Sequence, residues 1–231
     1  NYIQTVTRRA KTMAENDPVK ALDVGAIDKF PGGFYAFDNG HVLLWNEWPN
    51  PEVRPAYAER ERLQERFGEE RAKWMTGCLR NLLVYPNVFL MDQVSSQIRV
   101  IRPLSVGTTE VRTVCFAPAH EAADIRAHRI RQYEDFFNAS GMATPDDLAA
   151  FNASQVGFDA QLVEWSDVSR GAEHLIVGAD EHARQIGLSP IYTGTHLQDE
   201  GIFMNQHRYW LASLQSGLAR DALERGARDV A

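Results

Sequence analysis

Side chains able to bind metals or move protons are thinly spread along this chain. Its seven histidines stand at 41, 120, 128, 174, 182, 196 and 207. No two are three or four positions apart, the spacing that sets two ligands on one helical face. His120 and His128, like His174 and His182, are eight apart, near two helical turns and too far for joint chelation of one ion. Cys78 and Cys115 lie in Thr76-Gly77-Cys78-Leu79 and Val114-Cys115-Phe116. Neither has a Cys-x-x-Cys or Cys-x-His partner, so both read as small core hydrophobes. No Gly-rich phosphate loop follows a strand, and there is no Gly-x-Ser-x-Gly elbow. The segment that stands out is Thr144-Pro145-Asp146-Asp147. Thr is a fair N-cap, Pro suits the first helical position, and acids in the first turn complement the helix dipole. At about 100° per residue, Asp147 lies about 40° from Phe151, and Asp146 about 140° from it. Asp147 is therefore expected at the edge of a buried stripe of Leu148, Phe151 and Gln155, with Asp146 in water. A carboxylate turned inward must be paired, hydrogen-bonded or bound to a metal, which makes Asp147 the candidate.

The elements that position these residues follow from periodicity. Gly33-Phe34-Tyr35-Ala36-Phe37 and His41-Val42-Leu43-Leu44-Trp45 flank Asp38-Asn39-Gly40, and an Asn-Gly turn between such runs predicts a hairpin. Pro55 to about Trp74 is crowded with Glu and Arg, with Tyr57, Leu63 and Phe67 as narrow apolar punctuation; this predicts a helix with a solvated charged surface. Leu82 to Tyr85, Val88 to Met91, Gln97 to Ile101 and Glu110 to Phe116 are short runs of strand formers. Pro86-Asn87, Ser95-Ser96 and Gly107-Thr108 separate them, as in an antiparallel meander. Helices are expected at 121–138, with Ile125, Ile130, Tyr133 and Phe137 on one side, from Thr144 onward, and from Gln206 to Leu218. A short helix is expected before the breaker Asp17-Pro18. The result is one α+β domain of about six strands covered by helices, without the βαβ alternation of a parallel sheet.

Composition excludes several function classes. Thirty-one acids against 24 Lys and Arg leave a net charge of −7 in 231 residues, a poor match to a nucleic-acid backbone. No apolar run approaches the length of a membrane span. Two cysteines cannot build a disulfide framework, and a reducing cytoplasm is the expected location.

Two long stretches carry a resemblance. One is Tyr85-Pro86-Asn87-Val88-Phe89-Leu90-Met91-Asp92-Gln93 with Ser95-Ser96-Gln97-Ile98-Arg99. The other is Arg129-Ile130-Arg131-Gln132-Tyr133-Glu134-Asp135-Phe136-Phe137 with Gly141-Met142-Ala143-Thr144-Pro145-Asp146-Asp147-Leu148. Both resemble the large-subunit catalytic domain of Rieske non-heme iron aromatic-ring-hydroxylating dioxygenases, on the branch acting on benzoate and toluate. The similarity runs from Asn1 to about Trp210. It implies a helix-grip fold and cis-dihydroxylation of an aromatic carboxylate with O2. Electrons would pass from NADH through a separate reductase and a Rieske [2Fe–2S] cluster to a mononuclear Fe(II) held by two His and one carboxylate. By the same resemblance Asp147 supplies that carboxylate and Phe137 lines the substrate pocket, with Phe136 and Ala143 as further pocket candidates. The family's other partners are a trimer of large subunits and small β subunits.

The sequence also departs from the family. The Asp-x-x-His-x-x-x-x-His motif carrying the two iron-binding histidines would fall just before Asn1, and the cluster-binding Cys and His pairs are missing. Residues 1–231 are therefore expected to be a partial catalytic domain, truncated at the N-terminus and without the Rieske domain, inactive alone. The remaining histidines have no family role to inherit. The competing expectation is a non-enzymatic helix-grip protein that binds a small apolar ligand.

Overall fold

A computed structural model describes residues 27, 29–93 and 95–228; the helix expected before Asp17 lies outside them. The strands are β1 (Gly32–Ala36), β2 (Val42–Glu47), β3 (Cys78–Val84), β4 (Val88–Asp92), β5 (Ser96–Ser105), β6 (Thr108–Cys115), β7 (Ile176–Val177) and β8 (Tyr192–Gly194). They form one antiparallel sheet in the order β6-β5-β4-β3-β2-β1-β8-β7. The helices are α1 (Arg60–Phe67), α2 (Glu69–Gly77), α3 (Ala123–Phe136), α4 (Thr144–Asp159), α5 (Glu181–Ile186) and α6 (Gly201–Arg228). This is the expected α+β arrangement. β1 to β6 are a meander, and β7 and β8 extend it beyond β1. None of the described helices is long and apolar enough to cross a membrane.

The hairpin forms where Asn-Gly placed it: Gly40 takes φ +78°, and the Phe37 N–H donates to the His41 carbonyl at 2.9 Å. The expected helix over 55–74 is instead three pieces. Residues Pro55–Glu59 form a 3-10 turn, then α1 and α2 follow, split at Gly68. With φ +83°, Gly68 adopts a backbone that non-glycine residues resist and that no α-helix continues through.

Period-two alternation divides the sheet into two faces. On one, Tyr35, Trp45 and Cys78 pack against Trp74 of α2 and Ala183 of α5. The aromatic rings of Tyr35, Trp45 and Trp74 sit 4.7 to 6.1 Å apart, and each buried ring contributes about 1.5–3 kcal/mol. On the other face Phe34, Ala36 and Val42 pack under Leu175 and Ile202, and Leu79 meets Trp48, Val53, Phe137 and Ala143. Cys78 behaves as a core hydrophobe: it is buried, and burial pushes its thiol up to about 12.

Candidate functional site around Asp147

The register of β3 to β6 builds one wall of the site. Leu83 opposes Phe89, Phe89 opposes Arg99, and Arg99 opposes Thr113, so these side chains share a face. In β5 that face buries Gln97 and half-buries Arg99, while Ile98 and Val100 are exposed. The polar parity of the strand is the inward one, which a hydrophobicity pattern alone would reverse.

The opposite wall is α3, α4 and the corner between them. The C-terminal end of α3 leaves carbonyls without helical partners, and the corner supplies donors for three of them. Met142 N–H donates to the Asp135 carbonyl at 3.0 Å, and Ala143 N–H to that of Phe136 at 2.8 Å. The Thr144 hydroxyl donates to the Phe137 carbonyl at 2.7 Å. Thr144 was expected as the N-cap of α4. It is instead the first helical residue, with Ala143 before it and no side-chain cap, because its hydroxyl is committed to the preceding helix. Gly141 fits only because it has no side chain: an added Cβ would stand 2.6 Å from the Phe136 carbonyl oxygen.

Two other expectations about these helices are corrected. In α3 the buried residue is Arg129 and Ile130 is exposed. Arg129 can be buried because Glu121 neutralises it: its Nε lies 2.9 and 3.1 Å from the two carboxylate oxygens. In α4 no residue is buried, and Phe151 is 61% exposed. The stripe expected to bury Leu148 and Phe151 is therefore not covered by the described residues, and α4 contributes mainly its first turn to the site.

Between these walls lies a cavity of about 270 Å³, lined on its working side by Arg99, Thr113, Tyr133, Phe137, Asp147 and Phe151. That is near the lower end of the range for small-molecule sites, about 300–1,000 Å³. A larger groove of about 640 Å³ runs past Arg80, Asp92, Glu121 and Arg129, but its charges are already paired with one another. Asp147 is half-buried and Asp146 exposed; the partial burial of Asp147 does not come from a buried stripe, since Leu148 and Phe151 beside it are exposed. Burial raises the Asp147 carboxyl above its ordinary pKa, the Arg99 charge pulls it back, and Asp146 adds to the rise. No hydrogen-bond donor among the described residues reaches its carboxylate. The Arg99 guanidinium carbon stands 5.0 Å over the Phe137 ring, and its Nε donates to Gln97 Oε1 at 3.3 Å.

The structure thus brings Asp147 and Phe137 to one cavity. Phe137 also belongs to the apolar cluster of Trp48, Val53, Leu79 and Ala143, so it serves as core and as cavity wall together. Ala143, buried, and Phe136, edge-on to Phe137 at 4.7 Å, pack behind it rather than lining the cavity. The sequence reading passed over Arg99; its clue was a charged residue at the same parity as Gln97. The histidines take other roles. His41 Nδ1 accepts from the Tyr85 N–H, His128 Nε2 lies 3.0 Å from the Val53 carbonyl oxygen, and His182 is edge-on to Trp45.

A single carboxylate without a donor suits a cation ligand, and Asp147 fits that part of a two-His, one-carboxylate iron site. Among the described residues no three His, Cys, Asp or Glu converge to hold a metal, so these residues do not by themselves complete such a site.

Residues 17–187 match the family described as ring hydroxylating alpha subunit (catalytic domain). The chain is 50% identical over 219 residues to the 2-halobenzoate 1,2-dioxygenase large subunit of Burkholderia cepacia, covering 94% of this chain and 46% of that protein. It is 48% identical over 221 residues to the toluate 1,2-dioxygenase alpha subunit of Pseudomonas putida, covering 96% and 48%. With the anthranilate 1,2-dioxygenase large subunit of Acinetobacter baylyi the identity is 42% over 230 residues, covering 97% and 49%. The chain spans about half the length of the curated relatives it matches. In fold it is similar to naphthalene 1,2-dioxygenase from Rhodococcus sp. bound to indole, with a TM-score of 0.61 at 17% identity over 92% of this chain and 50% of that one.

Proposed function

The chain belongs to the ring-hydroxylating alpha-subunit catalytic-domain family, and on that premise we propose that it forms the iron-binding half of an aromatic-acid dioxygenase large subunit. The observation that carries this is Asp147: a half-buried carboxylate that no donor among the described residues reaches, at the rim of a cavity sized for one ring. The substrate would be a benzoate-like acid, taken from the names of the halobenzoate and toluate relatives. The overall change adds both atoms of O2 across the carboxyl-bearing ring carbon and its neighbour, with two electrons and two protons, to give a cis-diol. NADH would supply the electrons through a reductase and a Rieske [2Fe–2S] cluster. Bound Fe(II) would supply open coordination positions for O2.

The residues of this chain would do three things. Asp147 would hold one face of the metal. Phe137, backed by Phe136 and Ala143, would set the plane of the ring, and the apolar walls would exclude water. Two histidine ligands and the cluster domain are assigned to sequence outside residues 1–231, with a trimer of large subunits and small β subunits as the assembly. The cytoplasm is the proposed location. Because the matching family is catalytic, the non-enzymatic binding-protein reading is set aside.

The test is metal content of the full-length subunit. Asp147→Ala is expected to lose the mononuclear iron by elemental analysis while the [2Fe–2S] EPR signal stays, and to yield no cis-diol. Full mononuclear iron in Asp147→Ala would refute the assignment.

A further inference from the structure

Resting on the proposal above for this pocket, we infer that Arg99 is the cation that receives the carboxylate of the aromatic acid, and so sets the preference for acids over neutral rings.

The first support is pairing. The other guanidiniums packed against the sheet each hold a carboxylate: Arg54 and Arg80 share Asp92, and Arg129 holds Glu121. Arg99 is half-buried too, yet among the described residues no carboxylate comes within ion-pair distance of it. Its only hydrogen bond among them uses Nε, toward Gln97. The two terminal nitrogens, the pair that grips a carboxylate bidentately, are not engaged there.

Position is the second support. Arg99 is the one cation among the described residues lining the cavity. Its guanidinium carbon stands 5.0 Å from the centre of the Phe137 ring, close enough to Asp147 for each charge to act on the other. The neighbouring walls are apolar or aromatic: Val111, Tyr133, Leu148 and Phe151. A flat anion therefore finds one cationic anchor among aromatic and apolar walls, with Thr113, Asn138 and Thr144 as neutral polar neighbours.

Charge balance is the third. If Asp147 serves a divalent cation, its single negative charge is spent. The cavity then carries that ion and Arg99 with no second anion among its lining residues. Such a site favours an anionic ligand over a neutral one of equal shape.

The full-length oxygenase is titrated calorimetrically with benzoate and with benzamide, its neutral near-isostere, as wild type, Arg99→Gln and Arg99→Lys. Arg99→Gln is expected to weaken benzoate roughly 10- to 100-fold, the cost of losing hydrogen bonds to a charged group, while benzamide changes little. Arg99→Lys should fall between, because it keeps a point charge and loses the planar fork. Equal losses for both ligands would mean that Arg99 only props Phe137, and would overturn the inference; so would unchanged benzoate affinity. If Arg99→Gln does not fold, the benzoate-to-benzamide ratio in Arg99→Lys decides on the same terms. A wild type that binds neither ligand would instead bring down the pocket assignment itself, and this inference with it.

Discussion

Replacing Arg129 by Met tests what holds α3 against the sheet. Arg129 and Glu121 are 5% and 6% exposed. The guanidinium meets both carboxylate oxygens, and its Nη1 donates to Ser96 Oγ, on β5, at 3.0 Å. Removing the cation strands a buried carboxylate, which costs about 3–5 kcal/mol, where an exposed pair would cost under about 1 kcal/mol. At about 2–4 °C per kcal/mol for a chain of this size, the expected fall in Tm is about 6–20 °C. Calorimetric unfolding of Arg129→Met against wild type reads this directly. The double variant Arg129→Met, Glu121→Leu removes both charges and should recover most of the loss, because two apolar side chains can replace a buried pair at little cost. A single-variant loss below about 1 kcal/mol, or a double variant no better than the single, would refute the claim that this pair is a desolvated clamp. The result bears on function because α3 ends at the corner that carries Phe137 and leads to Asp147.

Three further outcomes are expected. Asp92 sits between Arg54 and Arg80; burial alone would raise its pKa, but the two guanidiniums more than offset this and hold it below the usual carboxylate value. Its stabilising contribution is therefore complete above that usual value and is lost as pH falls through the lowered one, so Asp92→Asn should be less stable at neutral pH, with the gap to wild type closing in acid denaturation curves. Gly141→Ala should destabilise by about 1–3 kcal/mol through its clash with the Phe136 carbonyl, whereas Gly157→Ala, in open space within α4, should gain about 0.5–1 kcal/mol; paired Tm measurements check both. Phe137→Ala should cost about 3–5 kcal/mol in urea unfolding, since the ring is 6% exposed; a loss under about 1 kcal/mol would show that it is cavity wall only.

Local chemistry made much of this legible in the sequence. The Asn39-Gly40 hairpin and the meander follow from turn residues and periodicity over short distances. What escaped depended on partners far along the chain. β7 has two residues and β8 three, too short for an alternation to register. Arg129 passes for a surface residue until Glu121, eight positions earlier, is placed beside it. Gln97 and Arg99 look outward by hydrophobicity, yet Gln97 is buried and Arg99 half-buried, with Gln97 held by the Ser95 and Arg99 side chains. Gly68 sits in a run of helix formers, and only its positive φ gives the break away.

The corner between α3 and α4 also governs which changes this protein can accept over generations. Its donors are mostly backbone N–H groups, which any residue but proline supplies. The hydrogen bonding itself therefore asks little of the side chains, although Gly141 and the buried Ala143 are held by close packing. The corner's length is fixed. Adding or deleting one residue between Phe137 and Thr144 would shift every donor off its carbonyl, or else swing Asp147 by about 100° around the axis of α4. A lineage exploring new substrates can exchange some letters here, but an insertion or deletion in the gene at this point would separate the cavity wall from its carboxylate.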